Sequence, residues 1–115
     1  MRSPLAPESY PALPPVAGVT LASAYCGIRY RERRDLMVAL LAPGTNVAGV
    51  FTRSKTRGAP VDWCRAGLKR GKARAIVVNS GNSNTFTGKA GIEVVRRTAA
   101  AMAKLAKCLP GEVFI

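Results

Sequence analysis

The stretch from Lys89 to Leu109 is the feature of this sequence that most restricts the fold. Its apolar residues recur at intervals of three and four, which predicts a helix with one apolar face formed by Ile92, Val95, Ala99, Met102, Ala106 and Leu109. Charged residues occupy much of the opposite side, and Pro110-Gly111 ends the helix. A helix with a single apolar face must pack that face against another element of the chain.

The segments before and after this helix predict the strands of a sheet. Short apolar runs, several of them rich in β-branched residues, are bounded by glycine, proline or charged turns, and they are Val16–Ile28, Leu36–Leu41, Val47–Thr52, Ala73–Val78 and Val113–Ile115. Leu36–Leu41 is continuously apolar, so we expect it to be covered on both faces. The Pro43-Gly44 turn predicts that it pairs with Val47–Thr52 as a hairpin.

A second, shorter helix is predicted over Val61–Lys69, with Pro60 in its first turn and Gly71 after its end. Strands come first, and the chain then alternates helix, strand, helix and strand. This order predicts an α/β or α+β layered fold, in which helices pack on a mixed sheet. Residues 1–15 form a Pro-rich leader and residues 16–115 one domain, which we expect to continue beyond Ile115 because the last apolar strand has only begun.

The leader does not resemble a secretory signal, because five prolines interrupt it and it has no continuous apolar core: Pro4, Pro7, Pro11, Pro14 and Pro15. No apolar run approaches the ~18 residues of a membrane helix. The cytoplasm is therefore the expected compartment.

Residue types absent from the chain exclude several chemistries. The chain has no histidine, which removes Ser-His-Asp, Cys-His and histidine–metal mechanisms from these residues. Its three cysteines, Cys26, Cys64 and Cys108, are far apart and are expected to be reduced packing residues, neither a disulfide framework nor a zinc site. The six acidic residues are scattered along the chain, so paired-carboxylate catalysis is not expected. No catalytic residue and no cofactor or metal site is predicted.

The polar loop Asn79–Gly88 is the most distinctive candidate site. It follows a buried type of strand and precedes the long helix, a position where α/β sheets commonly bind ligands. Asn and Gly tolerate positive φ, and Thr87 is placed to cap the helix and leave N–H groups for an anion. Asn82, Asn84 and Thr87 are the predicted substrate-binding residues. A polar turn with a capping threonine is the alternative explanation, and no phosphate-loop pattern is present.

The formal charge of +12 leaves a nucleic-acid partner as another interpretation. Basic residues cluster around the Trp63 helix, where they are Arg53, Lys55, Arg57, Arg65, Lys69, Arg70, Lys72 and Arg74. A phosphate-contacting surface or a solvated face would both account for them. Trp63 is the one aromatic residue among them and is expected to pack inward, and Arg29–Asp35 is predicted to be a charged turn between strands.

Three stretches resemble the bifunctional glutamate N-acetyltransferase family, also called the ornithine acetyltransferases. Residues 48–53 and 59–61 are similar to its A-G-V-F-T-x…A-P-V signature. Residues 73–88 are similar to R-A-I-V-V-N-S-G-N-A-N-A-x-T-G, with Ser83 and Thr85 where alanine is usual and Phe86 where cysteine is usual. Residues 112–115 are similar to the lead-in to A-S-T-G-V-I-G. The resemblance covers about residues 16–115.

The resemblance implies an enzyme of arginine biosynthesis that moves acetyl from N2-acetylornithine to glutamate. Some members also make N-acetylglutamate from acetyl-CoA, here a substrate and not a bound cofactor. The implied fold is the ornithine acetyltransferase/DmpA-like sandwich. The implied precursor cuts itself at an Ala–Thr bond, and the freed threonine becomes the nucleophile with its own α-amine as base. The resulting α and β chains assemble as α2β2, with no nucleic-acid or membrane partner.

The residues that would carry this chemistry are absent from the chain. It contains no Ala-Thr dipeptide, and the oxyanion-hole Thr-Gly of the family would follow Ile115. We therefore expect the chain to be the N-terminal part of the α chain and to be inactive alone. The alternatives are a small basic nucleic-acid-binding module and a non-catalytic remnant.

Overall fold

Four strands and two helices make up the part of the chain that the computed structural model describes, residues 3–115. In chain order they are β1 (Val19–Ala24), β2 (Leu36–Leu41), α1 (Ala59–Leu68), β3 (Ala75–Asn79), α2 (Gly88–Ala106), a short 3₁₀ turn (Pro110–Glu112) and β4 (Val113–Phe114). Met1 and Arg2 of the predicted leader lie outside the described residues. The rest of the leader, residues 3–15, forms neither helix nor strand.

The strands form one mixed sheet in the order β1-β2-β3-β4. β1 and β2 form an antiparallel hairpin, β2 and β3 are also antiparallel, and β3 and β4 are parallel. This confirms the predicted mixed sheet with packed helices. The first strand begins at Val19 and ends at Ala24, so it is shorter than the predicted range Val16–Ile28.

The predicted strand Val47–Thr52 is wrong, and so is its hairpin with Leu36–Leu41. Here the chain turns away from β2 after Pro43-Gly44 and runs beside residues 71–73: the Val47 amide donates to the Gly71 carbonyl, and the Ala73 amide donates to the Thr45 carbonyl. Val47 and Phe51 pack beneath α1 with Leu68. The apolar character of this segment therefore reflects packing beneath a helix, and β3 takes its place beside β2.

Helix α2 packs on one face of the sheet. Val95, Ala99, Met102 and Ala106 are buried as predicted, and the last three meet Ala75 and Val77 of β3 and Val113 of β4. The predicted ends of this face are wrong, because Ile92 is 54 % exposed and Leu109 is 52 % exposed. Small residues, Gly91 and Ala103, complete the buried stripe instead. They allow the helix to approach the sheet closely.

Helix α2 ends three residues earlier than predicted, at Ala106. Lys107 adopts a left-handed conformation with φ 50°, and the Cys108 amide donates to the Ala103 carbonyl at 3.0 Å. This backbone arrangement satisfies carbonyls of the last turn before Pro110 is reached. Arg74 adds a side-chain link, since its Nη2 donates to the Ala106 carbonyl and its Nε to the Leu41 carbonyl.

Helix α1 lies beside β4 and holds it by side-chain contacts. Pro60 occupies its first turn, as predicted. Trp63 is half-buried, which confirms its inward packing, and its indole Nε1 donates to the Val113 carbonyl at 2.9 Å. Cys64 Sγ accepts from the Ile115 amide and donates to the Ile115 carbonyl, at 3.3 Å each. Trp63 and Cys64 of α1 thus provide hydrogen-bond partners for backbone groups of Val113 and Ile115.

The opposite face of the sheet is apolar and exposed. Residues that pair directly across neighbouring strands place their side chains on the same face of the sheet. Across β1, β2 and β3, Leu21 is in line with Ala39 and Ile76, and Met37 pairs with Val78. The large side chains on this face are Leu21, Met37, Ile76 and Val78. Leu21 is 69 % exposed and Val78 is 46 % exposed. The prediction that both faces of Leu36–Leu41 are covered is therefore wrong within residues 3–115. Neither helix within these residues combines the length and the hydropathy of a membrane span.

Candidate functional site

The polar loop between β3 and α2 is fixed by hydrogen bonds at both its flanks. Asn79 Nδ2 donates to the Asn82 carbonyl at 2.7 Å, and the Ser80 amide donates to the Asp35 carbonyl at 2.9 Å. Farther along, the Asn84 carbonyl accepts from the Ala59 amide at 2.9 Å. The loop is therefore joined to the β1–β2 hairpin on one side and to the start of α1 on the other.

A cavity of about 300 Å³ opens between this loop and α1. We call it the asparagine cavity, and it is lined by Gly58, Pro60, Val61, Val77, Val78, Asn79, Asn82, Ser83, Asn84, Thr85 and Ile115. Its walls combine apolar strand residues with several amide and hydroxyl groups. This combination suits a small polar molecule with an aliphatic part, because amides orient polar groups and the strand contacts methylenes.

The three predicted substrate-binding residues do not all meet at one cavity. Asn82 and Asn84 both line the asparagine cavity. Thr87 borders a different cavity of about 260 Å³, with Lys55, Arg57 and Phe86, and Asn84 is the residue common to the two. The binding roles of all three residues stay predictions.

The predicted capping role of Thr87 is wrong. Thr87 stands at the N-cap of α2, but its hydroxyl makes no capping hydrogen bond. Its backbone has φ −101° and ψ 1°, outside the extended region that a capping side chain requires. The side chain instead lies over Gly91, where any Cβ would collide with Thr87 Oγ1. Gly91 thereby provides the space in which the end of the loop packs.

Arg29 lies at the polar loop, although the sequence predicted no more than a charged turn there. It borders an open, polar surface depression of about 460 Å³, which we call the arginine cavity, together with Asn79, Gly81, Asn82 and Ser83. Asn79, Asn82 and Ser83 also line the asparagine cavity, so the two cavities share a wall. No local sequence signal identifies Arg29 among its neighbouring arginines, because its position depends on how the hairpin packs against the loop.

Asp35 determines the shape of the hairpin turn that carries Arg29. This carboxylate is 2 % exposed, and its two oxygens accept from the Cys26 and Ile28 amides at 2.6 Å each. The hydrogen bond from Cys26 is the main cause that lowers the pKa of Asp35, those from Ile28 and Arg29 act in the same direction, and burial opposes them. The lowered pKa indicates that the folded turn favours the charged carboxylate.

We expect Asp35→Asn to lower the melting temperature at neutral pH, because the amide replaces a charged acceptor with a neutral one. The folded pKa of Asp35 lies below its ordinary value of 3.8, so its stabilising contribution is complete above that pH and is lost as pH falls through the folded pKa. Melting temperatures of the full-length protein from pH 7 to pH 3 test this. Glu32→Gln, which removes an exposed carboxylate from the same turn, is the control. Indistinguishable wild-type and Asp35→Asn melting temperatures at pH 7 would contradict the assignment.

Four of the eight basic residues around α1 make internal side-chain contacts. Arg57 pairs with Asp62, Arg65 donates to the Thr52 carbonyl, and Lys72 donates to the Gly44 carbonyl and Asn46 Oδ1. Arg74 bridges β2 and α2, as described above. These side chains are spread over a loop, a helix and a strand and are committed to the fold, so the nucleic-acid interpretation is not favoured.

The described cysteines are unpaired thiols in different surroundings. Cys64 is buried and Cys108 half-buried, and burial raises the pKa of both thiols. Cys26 is exposed, so its predicted role as a packing residue is wrong. Within residues 3–115, no group of three or more His, Cys, Asp or Glu side chains could hold a metal ion.

Comparison with known proteins identifies a family. The ArgJ family profile matches residues 20–115. The chain is 56 % identical over 113 residues to the arginine biosynthesis bifunctional protein ArgJ of Bradyrhizobium diazoefficiens, and 55 % identical to that of Mesorhizobium japonicum. Each alignment covers 98 % of this chain and 27 % of the relative. The chain thus spans about a quarter of the length of these relatives.

Solved structures agree in fold. Ornithine acetyltransferase of Mycobacterium tuberculosis, determined in complex with ornithine, superposes with a TM-score of 0.77 at 35 % identity over 84 % of this chain and 53 % of that one. The ArgJ protein of Bacillus halodurans superposes with a TM-score of 0.80 at 27 % identity over 85 % of this chain and 51 % of that one. Together with the family profile and the close relatives, these superpositions establish that the chain belongs to the ArgJ family.

Proposed function

We propose that this chain forms the N-terminal part of an acetyltransferase that moves acetyl from N2-acetylornithine to glutamate in arginine biosynthesis. The observation that carries the proposal is the identity of 56 % to an arginine biosynthesis bifunctional protein over 98 % of the chain. A solved relative that superposes on the described fold holds ornithine. Acetyl-CoA is proposed as a second acetyl donor for the same enzyme, with no resident cofactor.

The proposed nucleophile is a threonine freed by self-cleavage at an Ala–Thr bond outside this chain. Its hydroxyl attacks the acetyl carbonyl of N-acetylornithine, its own α-amine takes the proton, and ornithine leaves with its amine protonated. The amine of glutamate then attacks the acetyl ester and restores the threonine. Residues 1–115 contribute no reacting group to this scheme. Asn82 and Asn84 are proposed to hydrogen-bond the bound amino acid.

The exposed sheet face supports a role within a larger protein. Leu21, Met37, Ile76 and Val78 present contiguous apolar surface that stable monomers rarely leave in water. The relatives are about four times as long as this chain. We propose that the part of the full-length protein that corresponds to their remaining sequence covers this face and forms the second half of a sandwich. The α2β2 assembly is proposed because the family resemblance implies it, and the cytoplasmic location is proposed with it.

Acetyl transfer by the full-length protein tests the proposal. The full-length protein, in which this segment precedes the rest of the sequence that the relatives have, is incubated with N-acetylornithine and glutamate. The N-acetylglutamate that forms is then measured. We expect turnover with the intact Ala–Thr junction and none when its threonine is replaced by alanine, because no other hydroxyl gains an adjacent α-amine. Acetyl transfer by residues 1–115 alone would contradict the proposal, as would an active junction variant.

A further inference from the structure

The end of β4 lies at the wall of the candidate site. The pairing of β4 with β3 covers Val113 and Phe114, which are in register with Ala75 and Ile76. Ile115 follows this pairing, is half-buried, and lines both the asparagine cavity and a second cavity that adjoins it. The next residue of a longer chain has its Cα about 3.8 Å from that of Ile115. A longer chain therefore continues from the wall of the candidate site.

The thiol of Cys64 contacts both backbone polar groups of Ile115. The Ile115 amide donates to Cys64 Sγ, and Sγ donates to the Ile115 carbonyl, at 3.3 Å each. Cys64 is 8 % exposed and belongs to the cluster that contains Phe114. Burial raises the pKa of the Cys64 thiol, and the hydrogen bond with the Ile115 backbone opposes this shift. The thiol is therefore protonated at neutral pH and retains the proton that it donates.

Close packing of α1 keeps this thiol beside the end of β4. Gly67 lies nearly one helical turn after Cys64 and faces the segment that enters β4. A Cβ at Gly67 would lie 3.1 Å from the Gly111 carbonyl oxygen and 3.5 Å from Phe114 Cζ. A hydrogen bond to a thiol is weak by itself. Two such bonds to the amide and the carbonyl of one residue, Ile115, nevertheless restrict both the position and the rotation of its backbone.

We propose that Cys64 is a positioning residue, which holds the Ile115 backbone so that the residues after it are correctly placed for acetyl transfer. The inference rests on the proposed function, under which those residues include the expected oxyanion-hole Thr-Gly. Donors of this kind bind the acetyl carbonyl more strongly in the transition state than in the bound substrate. Displacement of the Ile115 backbone therefore lowers kcat and leaves KM for N-acetylornithine and for glutamate nearly unchanged.

Three substitutions in the full-length enzyme separate the hydrogen bonds of Cys64 from its packing. Cys64→Ala removes the thiol and leaves a space, Cys64→Val removes the thiol and fills that space, and Cys64→Ser retains a donor and an acceptor. We expect kcat to fall about tenfold in the Ala and Val variants, with both KM values within about twofold of the wild type. Cys64→Ser is expected to recover most of this loss. The control is Cys108→Ala, which removes a half-buried thiol packed against the α2 cluster and is expected to retain the wild-type kcat.

Hydrogen exchange at the Ile115 amide of the full-length protein provides a readout that does not depend on activity. This amide donates to Cys64 Sγ, so its exchange is slowed by the hydrogen bond. We expect it to exchange about tenfold faster in Cys64→Val than in the wild type, and at close to the wild-type rate in Cys64→Ser.

The order of the variants decides between hydrogen bonding and packing. A wild-type kcat in Cys64→Val would overturn the inference, and so would a Cys64→Ser enzyme no more active than Cys64→Val, because the thiol would then act by packing alone. An equal loss of kcat in Cys108→Ala would overturn it too, because the effect would not be specific to the contact with Ile115. A wild type without acetyl transfer would instead contradict the proposed function, so the two failures are distinguishable.

Discussion

Trp63→Ala is expected to lower the free energy of unfolding by about 3 kcal/mol, one of the two largest effects that we predict. Trp63 contacts both hydrophobic clusters, the one under α2 and the one that contains Phe114 and Leu68. Its Nε1 also donates to the Val113 carbonyl, and alanine leaves this acceptor without its partner. Loss of the indole therefore loosens α1 and β4 together. Chemical denaturation of the full-length protein measures the change.

Two further variants separate the parts of the Trp63 effect. Trp63→Phe retains most of the packing and removes the hydrogen bond, so we expect it to cost about 1 kcal/mol. Leu105→Ala truncates a residue of α2 that is 78 % exposed. Its free energy of unfolding is expected to stay within about 0.5 kcal/mol of that of the wild type. If Trp63→Ala lowers the free energy of unfolding no more than Leu105→Ala does, the packing of α1 does not depend on the Trp63 side chain.

Gly81→Ala is expected to destabilise the protein by about 2–4 kcal/mol and to raise KM for both amino-acid substrates. The φ of +96° already disfavours a side chain, and the new Cβ would press on Arg29 and Tyr30. Relief of that contact moves the hairpin turn that carries Arg29 away from Asn82 and Ser83. Denaturation and steady-state kinetics of the full-length enzyme measure the two consequences.

Gly44→Ala is the matched control for Gly81→Ala. Gly44 has a similar φ of +85°, and a Cβ there would meet nothing within 4 Å. It therefore isolates the cost of backbone strain, about 1–2 kcal/mol, from the cost of collision. Its KM values are expected to match those of the wild type. Equal effects of the two substitutions on KM would indicate that contact between the loops does not position the substrate.

The polar loop was predictable as a candidate site because its signals are local. A β-branched strand, a run of Asn and Gly residues and a strongly periodic helix follow one another, and each is visible within a short window. Asn82 and Asn84 line one cavity and Thr87 lines another, and the binding roles of all three residues stay predictions. The capping prediction for Thr87 failed because it assumed an extended backbone at the N-cap, whereas space at Gly91 lets the side chain turn over the helix.

The error at Val47–Thr52 has a different origin. A short apolar run is compatible with a strand or with a segment buried beneath a helix, and periodicity does not distinguish them. Here Val47 and Phe51 contact the α1 cluster, and the adjacent backbone bonds to residues 71–73. The strand that pairs with β2 is instead supplied by residues farther along the chain, after α1.

Except at Val47–Thr52, the sequence by itself determined the kinds of element, their order and the loop that forms the candidate site, because propensity and periodicity act over a few neighbouring residues. Tertiary structure decided which strands pair, which sheet face stays exposed and which arginine reaches the cavity. Arg29 and Gly81 are distant in sequence and meet only when the hairpin packs against the polar loop. Contacts of this kind depend on the shape of the whole domain, which no local pattern encodes.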